Sequence, residues 1–195
     1  MSNLRERRRL QTAQDIQRAT LELINEKGVD NVTTLDISHH LGISQRTFFN
    51  YYPNKEAALM GPEMHIPTEM IDRFITCDGE YTDCLREFMQ AHVLLIEPNR
   101  SELLVILKVA ETHPRMSQIR LEKMVRMRDE LSSILSKKWP LSSALSMNIL
   151  SDILLSSCWS GIELWLYTDI SLKEAFHKSW SSLKVVSTFL APKNG

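Results

Sequence analysis

The stretch TTLDISHHLGISQRTFFNYYPNKEAAL, Thr33 to Leu59, places three helix starts and two helix stops in close succession. Thr33 and Asp36 form a T-x-x-D capping pair that opens one helix, and Gly42 ends it with a sharp turn. Ser44 caps a second helix, expected from Gln45 to about Tyr52. Pro53 ends that one, and Asn54 caps a third whose first turn holds Lys55. Helices this short are marginal alone and depend on tertiary anchors. Ile37 and Leu41, four apart, supply one apolar side, Ile43 plugs the space between helices, and Phe48 anchors the second helix, with Tyr52 as a possible second anchor.

The second helix spends its free face on Gln45, Arg46, Thr47, Asn50 and Tyr51. Two short helices across a glycine turn, the second polar outside, describe a helix-turn-helix. A DNA major groove about 12 Å wide receives the end of one helix, whose N-terminal residues meet base edges. Gln45 and Arg46 are able to read purines through paired hydrogen bonds, and the Thr47 methyl suits a thymine methyl. Thr33, Thr34, Tyr51 and Lys55, at helix starts or flanking the groove, are candidate backbone contacts.

Apolar residues elsewhere recur at helical spacing, without a convincing alternating strand pattern, so the fold class is all-α. A first helix is expected from about Leu4 to Lys27, with Ala13, Ile16, Thr20, Leu23 and Ile24 buried and Gly28 as its stop. Further helices are expected over Ile66 to Thr76, Tyr81 to Glu97, Ser101 to Glu111, Arg115 to Lys138, Ser142 to Thr168 and Ser171 to Leu190. Pro98, Pro114 and Pro140 mark junctions. The expected organisation is a three-helix DNA-binding domain over residues 1–60, then a larger helical bundle over 61–195 for ligand binding and dimerisation.

Charge limits the function classes. The 23 Lys and Arg against 24 Asp and Glu give a net charge of −1, unlike a protein that coats nucleic acid indiscriminately. Basic residues nevertheless cluster at Arg5, Arg7, Arg8, Arg9 and Arg18, as a disordered arm along a duplex or as a solvated tail. Cys77, Cys84 and Cys158 follow no metal-ligand spacing, and their odd number suits a reducing cytoplasm. No apolar run approaches bilayer length and no signal core is evident, so the expectation is a cytoplasmic protein with no membrane partner. No metal and no cofactor are expected, since neither His92 nor Glu163 forms the Glu-x-x-His pair of a di-iron site.

The string Gly28, Thr33, Ile37, Gly42-Ile43-Ser44, Thr47-Phe48-Phe49-Asn50-Tyr51-Tyr52, Asn54-Lys55-Glu56 and Leu59 resembles the TetR family of bacterial transcriptional repressors. Over the first quarter the resemblance is close; beyond it, only the helical layout and length are similar. It implies that Gln45, Arg46 and Thr47 meet bases or neighbouring phosphates and that Tyr51 and Lys55 hold phosphates. Phe49 stands where the family often has tyrosine, so a van der Waals contact is expected there. Asn50 is an even choice between contact and structure.

One short helix makes too few contacts for selective affinity, so a homodimer reading a palindromic operator is expected. Leu172, Phe176, Ser179, Leu183, Val186 and Leu190 form a heptad-like stripe on the last helix, the candidate seam. Ser146, Ser156, Ser157, Ser160 and Gly161 on its hairpin partner permit close approach. The resemblance also implies a cavity whose small, lipophilic inducer respaces the two DNA-reading heads, with a hinge near Lys55 to Pro67. Candidate lining residues are Met60, Met64, Met70, Phe74, Phe88, Met89, His92, Trp159, Glu163 and Trp165. His92 on an apolar stripe is more often core than ligand contact, and Glu163 more often a surface carboxylate than a partner for a cationic lipophile. The alternatives are a helical-bundle carrier or enzyme, disfavoured because no nucleophile–base set, phosphate loop or metal cluster is visible, and a DNA-binding regulator controlled by a protein partner.

Overall fold

Among the described residues there are ten α-helices in chain order, none longer than 25 residues: α1 (Leu4–Lys27), α2 (Thr34–Leu41), α3 (Gln45–Phe49), α4 (Lys55–Met60), α5 (Thr68–Ile75), α6 (Tyr81–Leu95), α7 (Arg100–Thr112), α8 (Pro114–Lys138), α9 (Ala144–Tyr167) and α10 (Leu172–Leu190), with a 3₁₀ turn at Val29–Asn31. The structure, a computed structural model, describes residues 4–63, 65–95 and 100–190, without the side chain of Leu190; Met64, a candidate lining residue, lies outside that set. Among the described residues there is no strand.

Capping chemistry sets the short elements. The Thr33 hydroxyl accepts from the Asp36 amide (3.1 Å) while the Thr33 amide donates to the Asp36 carboxylate (2.8 Å), a complete capping box. Gly42 ends α2 in the left-handed region at φ 67°, where a β-carbon is costly. Ser44 accepts from the Thr47 amide and Asn54 from the Ala57 amide. Helix α3 stops at Phe49, earlier than Tyr52, because its last turn tightens: the Asn50 and Tyr51 amides reach back three residues to Thr47 and Phe48.

The chain divides into two compact units, one of residues 1–64 with 99–124, the other of 65–98 with 125–195. This differs from a cut after residue 60, and the reason is packing. Val109, Ala110 and Met116, from α7 and the start of α8, share one core with Ile16, Val32, Ile37, Phe48 and Leu59 of the N-terminal helices. Lys123 further fastens this unit by donating to the carbonyls of Met60 (2.8 Å), Gly61 (2.7 Å) and Pro62 (3.2 Å). Those oxygens end α4, where a helix leaves acceptors without partners.

In the second unit α9 and α10 form an antiparallel hairpin. A β-carbon on Gly161 would stand 2.9 Å from the Ser179 hydroxyl and 3.4 Å from the Phe176 Cα, so glycine permits the close approach. Phe74 of α5 stacks on Phe88 of α6, with centroids 4.5 Å apart. One expectation is corrected: α9 is long and apolar enough, by length and composition alone, to span a bilayer. Leu154, Cys158, Ile162 and Leu166 are buried in the unit, and 33% of that apolar window is buried in all.

Candidate nucleic-acid interface

Phe48 decides which side of α3 faces out. Its ring is fully buried, worth about 1.5–3 kcal/mol of transfer free energy, and lies edge-on to Phe49 and tilted against Tyr52. The Tyr52 hydroxyl donates to the Ala13 carbonyl (3.0 Å) and its burial pushes the phenol pKa up, so it is a neutral tie between the turn after α3 and α1. With Phe48 inward, Gln45, Arg46, Phe49 and Asn50 are all exposed on the opposite face. That helix face offers an amide, a guanidinium, a second amide and a ring with no hydroxyl, a set suited to hydrogen bonding at base edges.

Other candidates are engaged within the chain. The Thr33 hydroxyl donates to the Asp36 carboxylate (2.6 Å), whose pKa is lowered by that bond and by the Thr33 amide. Thr34 accepts from the Gln45 amide group at 3.4 Å. Thr47 is half-buried with its hydroxyl on Ser44 (2.8 Å), and Tyr51 is half-buried against the core. Lys55 departs most from expectation. Its ammonium donates to the carbonyls of Val29 and Val32 (2.9 Å), bracing the segment that enters α2. The basic residues Arg7, Arg8 and Arg9 sit exposed on the first turns of α1 rather than on a disordered arm.

Residues 16–59 match the family model described as "Bacterial regulatory proteins, tetR family". That match spans the helix-turn-helix segment and less than half of the chain. The whole chain has the fold of solved family members. A TetR-family transcriptional regulator from Syntrophomonas wolfei superposes with a TM-score of 0.65 at 17% identity, covering 93% of this chain and 97% of that one. One from Mesorhizobium loti gives 0.58 at 14%, covering 93% and 98%. Thermus thermophilus FadR, a TetR-family repressor in complex with lauroyl-CoA, gives 0.56 at 21%, covering 94% and 99%. Curated proteins return no match.

The second unit of the chain holds the remaining candidates. Phe74, Phe88, Met89 and His92 are buried, and the two phenylalanines fill their space by stacking on each other. Burial lowers the His92 pKa to about 4, so the ring is neutral. Met70 does line an open groove of about 370 Å³, together with Pro67, Glu69, Arg73, Ala91, Leu94 and Leu95. The half-buried Trp159 donates its indole N–H to the carboxylate of the exposed Glu163 (2.7 Å), one helical turn along α9.

The candidate seam is corrected. Leu172 and Phe176 are 2% exposed within the single chain, and the Ser179 hydroxyl bonds the Phe176 carbonyl. Leu183 is half-buried, Val186 is exposed, and the side chain of Leu190 lies outside the described residues. A 3.5-residue stripe drifts round a helix of 3.6 residues per turn, so its first half meets α9 while its second half turns outward. The exposed apolar residues are instead Leu145, Ile149 and Ile153 on α9 with Val185, Val186 and Phe189 on α10. Being antiparallel, the helices carry both strips at one end of the hairpin. Spacing of three and four alone does not tell an internal stripe from an external one; the two added positions, Val185 and Phe189, follow a four-residue repeat that was legible.

Proposed function

We propose that the protein is a cytoplasmic homodimeric repressor that reads a palindromic operator and leaves it when a small lipophilic ligand binds. The carrying observation is the face of α3, with Gln45, Arg46, Phe49 and Asn50 exposed opposite the buried Phe48. Gln45, Arg46 and Thr47 read bases; Thr33, Thr34, Phe49 and Tyr51 touch the backbone; Lys55 holds the reading head in shape. The apolar strips of α9 and α10 support dimerisation, since Phe189 is 79% exposed and Leu145 69%. The groove between α5 and α6 supports the ligand: Met70, Leu94 and Leu95 offer apolar walls and Arg73 a cation for an acidic head group. Ligand and operator must favour different head spacings, and a coupling of ~1–3 kcal/mol loosens DNA roughly 5- to 150-fold.

Selection of binding sites from random duplexes, repeated with a medium-chain acyl-CoA or fatty acid, tests this. An inverted repeat released by the added lipid is expected. Enrichment of no sequence would overturn the operator reading, and enrichment of a single half-site would overturn the dimer.

A further inference from the structure

Helix α5 ends at Ile75 and α6 begins at Tyr81, and the turn between them is built around two cysteines. Cys77 and Cys84, seven positions apart with Cα atoms separated by 6.1 Å, are joined through their sulfurs. Gly79 lies against both: an added β-carbon would stand 3.5 Å from the Cys84 sulfur and 3.8 Å from that of Cys77. From the end of α8, the Lys138 ammonium donates to the carbonyls of Ile75 (2.9 Å) and Cys77. Trp139 sets its ring edge against Phe74 and Tyr81, and its indole nitrogen is buried with no hydrogen-bond partner among the described residues. The turn is thus held by one ammonium, one indole and one covalent link.

We propose that Cys77 and Cys84 form a reversible two-electron oxidation site for hydroperoxides, with the disulfide fixing the α5–α6 turn and the dithiol releasing it. The inference rests on the cytoplasmic location proposed above and is independent of DNA binding. A disulfide in a reducing compartment is usually transient or redox-sensing rather than a permanent staple. Two features of positive character lie beside the pair. Cys84 lies in the first turn of α6, its amide on the Glu80 carbonyl (3.0 Å), where the helix end attracts negative charge. Lys138 places a positive charge at the Cys77 carbonyl, and Asp83, the acidic residue next to Cys84, is paired with Arg86 (3.1 Å). Cys77 is half-buried and Cys84 buried, so Cys77 is the sulfur an oxidant reaches first.

The chemistry balances in two steps. The Cys77 thiolate attacks a peroxide oxygen of ROOH; the S–O bond forms, the O–O bond breaks, and the departing alkoxide takes a proton to become ROH, leaving a sulfenic acid. The Cys84 thiolate then attacks the Cys77 sulfur; the S–S bond forms, the S–O bond breaks, and hydroxide leaves as water after protonation. Two thiols are oxidised by two electrons and one peroxide is reduced. A dithiol reductant reverses the closure by exchange. The linked turn and the groove at Pro67, Met70 and Leu95 are opposite ends of one antiparallel helix pair, so opening the turn frees the angle that shapes the groove.

The full-length chain, reduced with dithiothreitol and then titrated with cumene hydroperoxide, tests the site by intact mass and peptide mapping. Expected are the loss of two hydrogens, a linked Cys77–Cys84 peptide formed several-fold faster than free cysteine oxidises, and full recovery in dithiothreitol. Cys158, buried with its pKa pushed up to about 12, is expected to remain a thiol. In Cys84→Ser, dimedone is expected to trap a sulfenic acid on Cys77. A pair that resists reduction by excess glutathione, that oxidises no faster than free cysteine, or that gives separate sulfinic acids without a linked peptide would overturn the proposal.

Discussion

The Lys55 ammonium donates to two carbonyls, of Val29 and Val32, in a segment where no helix ladder supplies donors. Lys55→Met strands both acceptors in a part-buried site, and a loss of about 1–3 kcal/mol is expected by thermal unfolding. A residue acting only on phosphate would leave the unfolding temperature unchanged and lower the salt dependence of DNA binding instead. Gly61 combines φ 72° with ψ −179°, a region in which a β-carbon is strained. Gly61→Ala is expected to cost about 1–3 kcal/mol in the same measurement, because the obstructing Gln17 side chain can move but the backbone cannot. His92 carries a pH signature. Its pKa falls from 6.5 unfolded to about 4 folded, so the unfolded chain binds the proton more readily. Stability is therefore full above pH 6.5 and declines as pH falls toward 4, by at most about 3 kcal/mol. Urea unfolding at pH 7 and 4.5 should show a smaller decline for His92→Leu than for wild type; an equal decline would place the titrating group elsewhere.

At the scale of elements, adjacent residues of α3 have opposite roles. Phe48→Ala is expected to cost about 3–5 kcal/mol, since it empties a fully enclosed site. Phe49→Ala, at 52% exposure, is expected to change stability by no more than about 0.5 kcal/mol. Calorimetry of the two variants distinguishes them, and comparable losses would contradict the orientation of the helix. This orientation was legible in the sequence because local chemistry encodes it: Thr33, Ser44 and Asn54 cap their own neighbours within three residues. Contacts between distant segments were not legible. Lys123 reaches Gly61 across 62 positions and Lys138 reaches Cys77 across 61, and neither spacing leaves a periodic mark. The same limit misplaced Leu172 and Phe176, since helical spacing identifies an apolar side without identifying what covers it. The link between Cys77 and Cys84 was not legible for the same reason; only the turn of α5 onto α6 brings them together.

For the whole molecule, the proposed function puts regulation on two surfaces, the exposed strips of α9 and α10 and the exposed face of α3. Paired substitution of Ile149→Asp and Phe189→Asp is expected to give monomers by sedimentation with weakened operator binding, whereas a persisting dimer would move the interface off this hairpin end. The most direct measurement compares wild type with a Gln45→Ala, Arg46→Ala double variant on the selected operator and on a scrambled duplex at the same salt. The ratio of the two affinities is expected to fall about 10-fold or more, at ~1–3 kcal/mol for each base contact, with nonspecific affinity falling much less and the unfolding temperature unchanged. An unchanged ratio would mean that α3 does not read the DNA sequence.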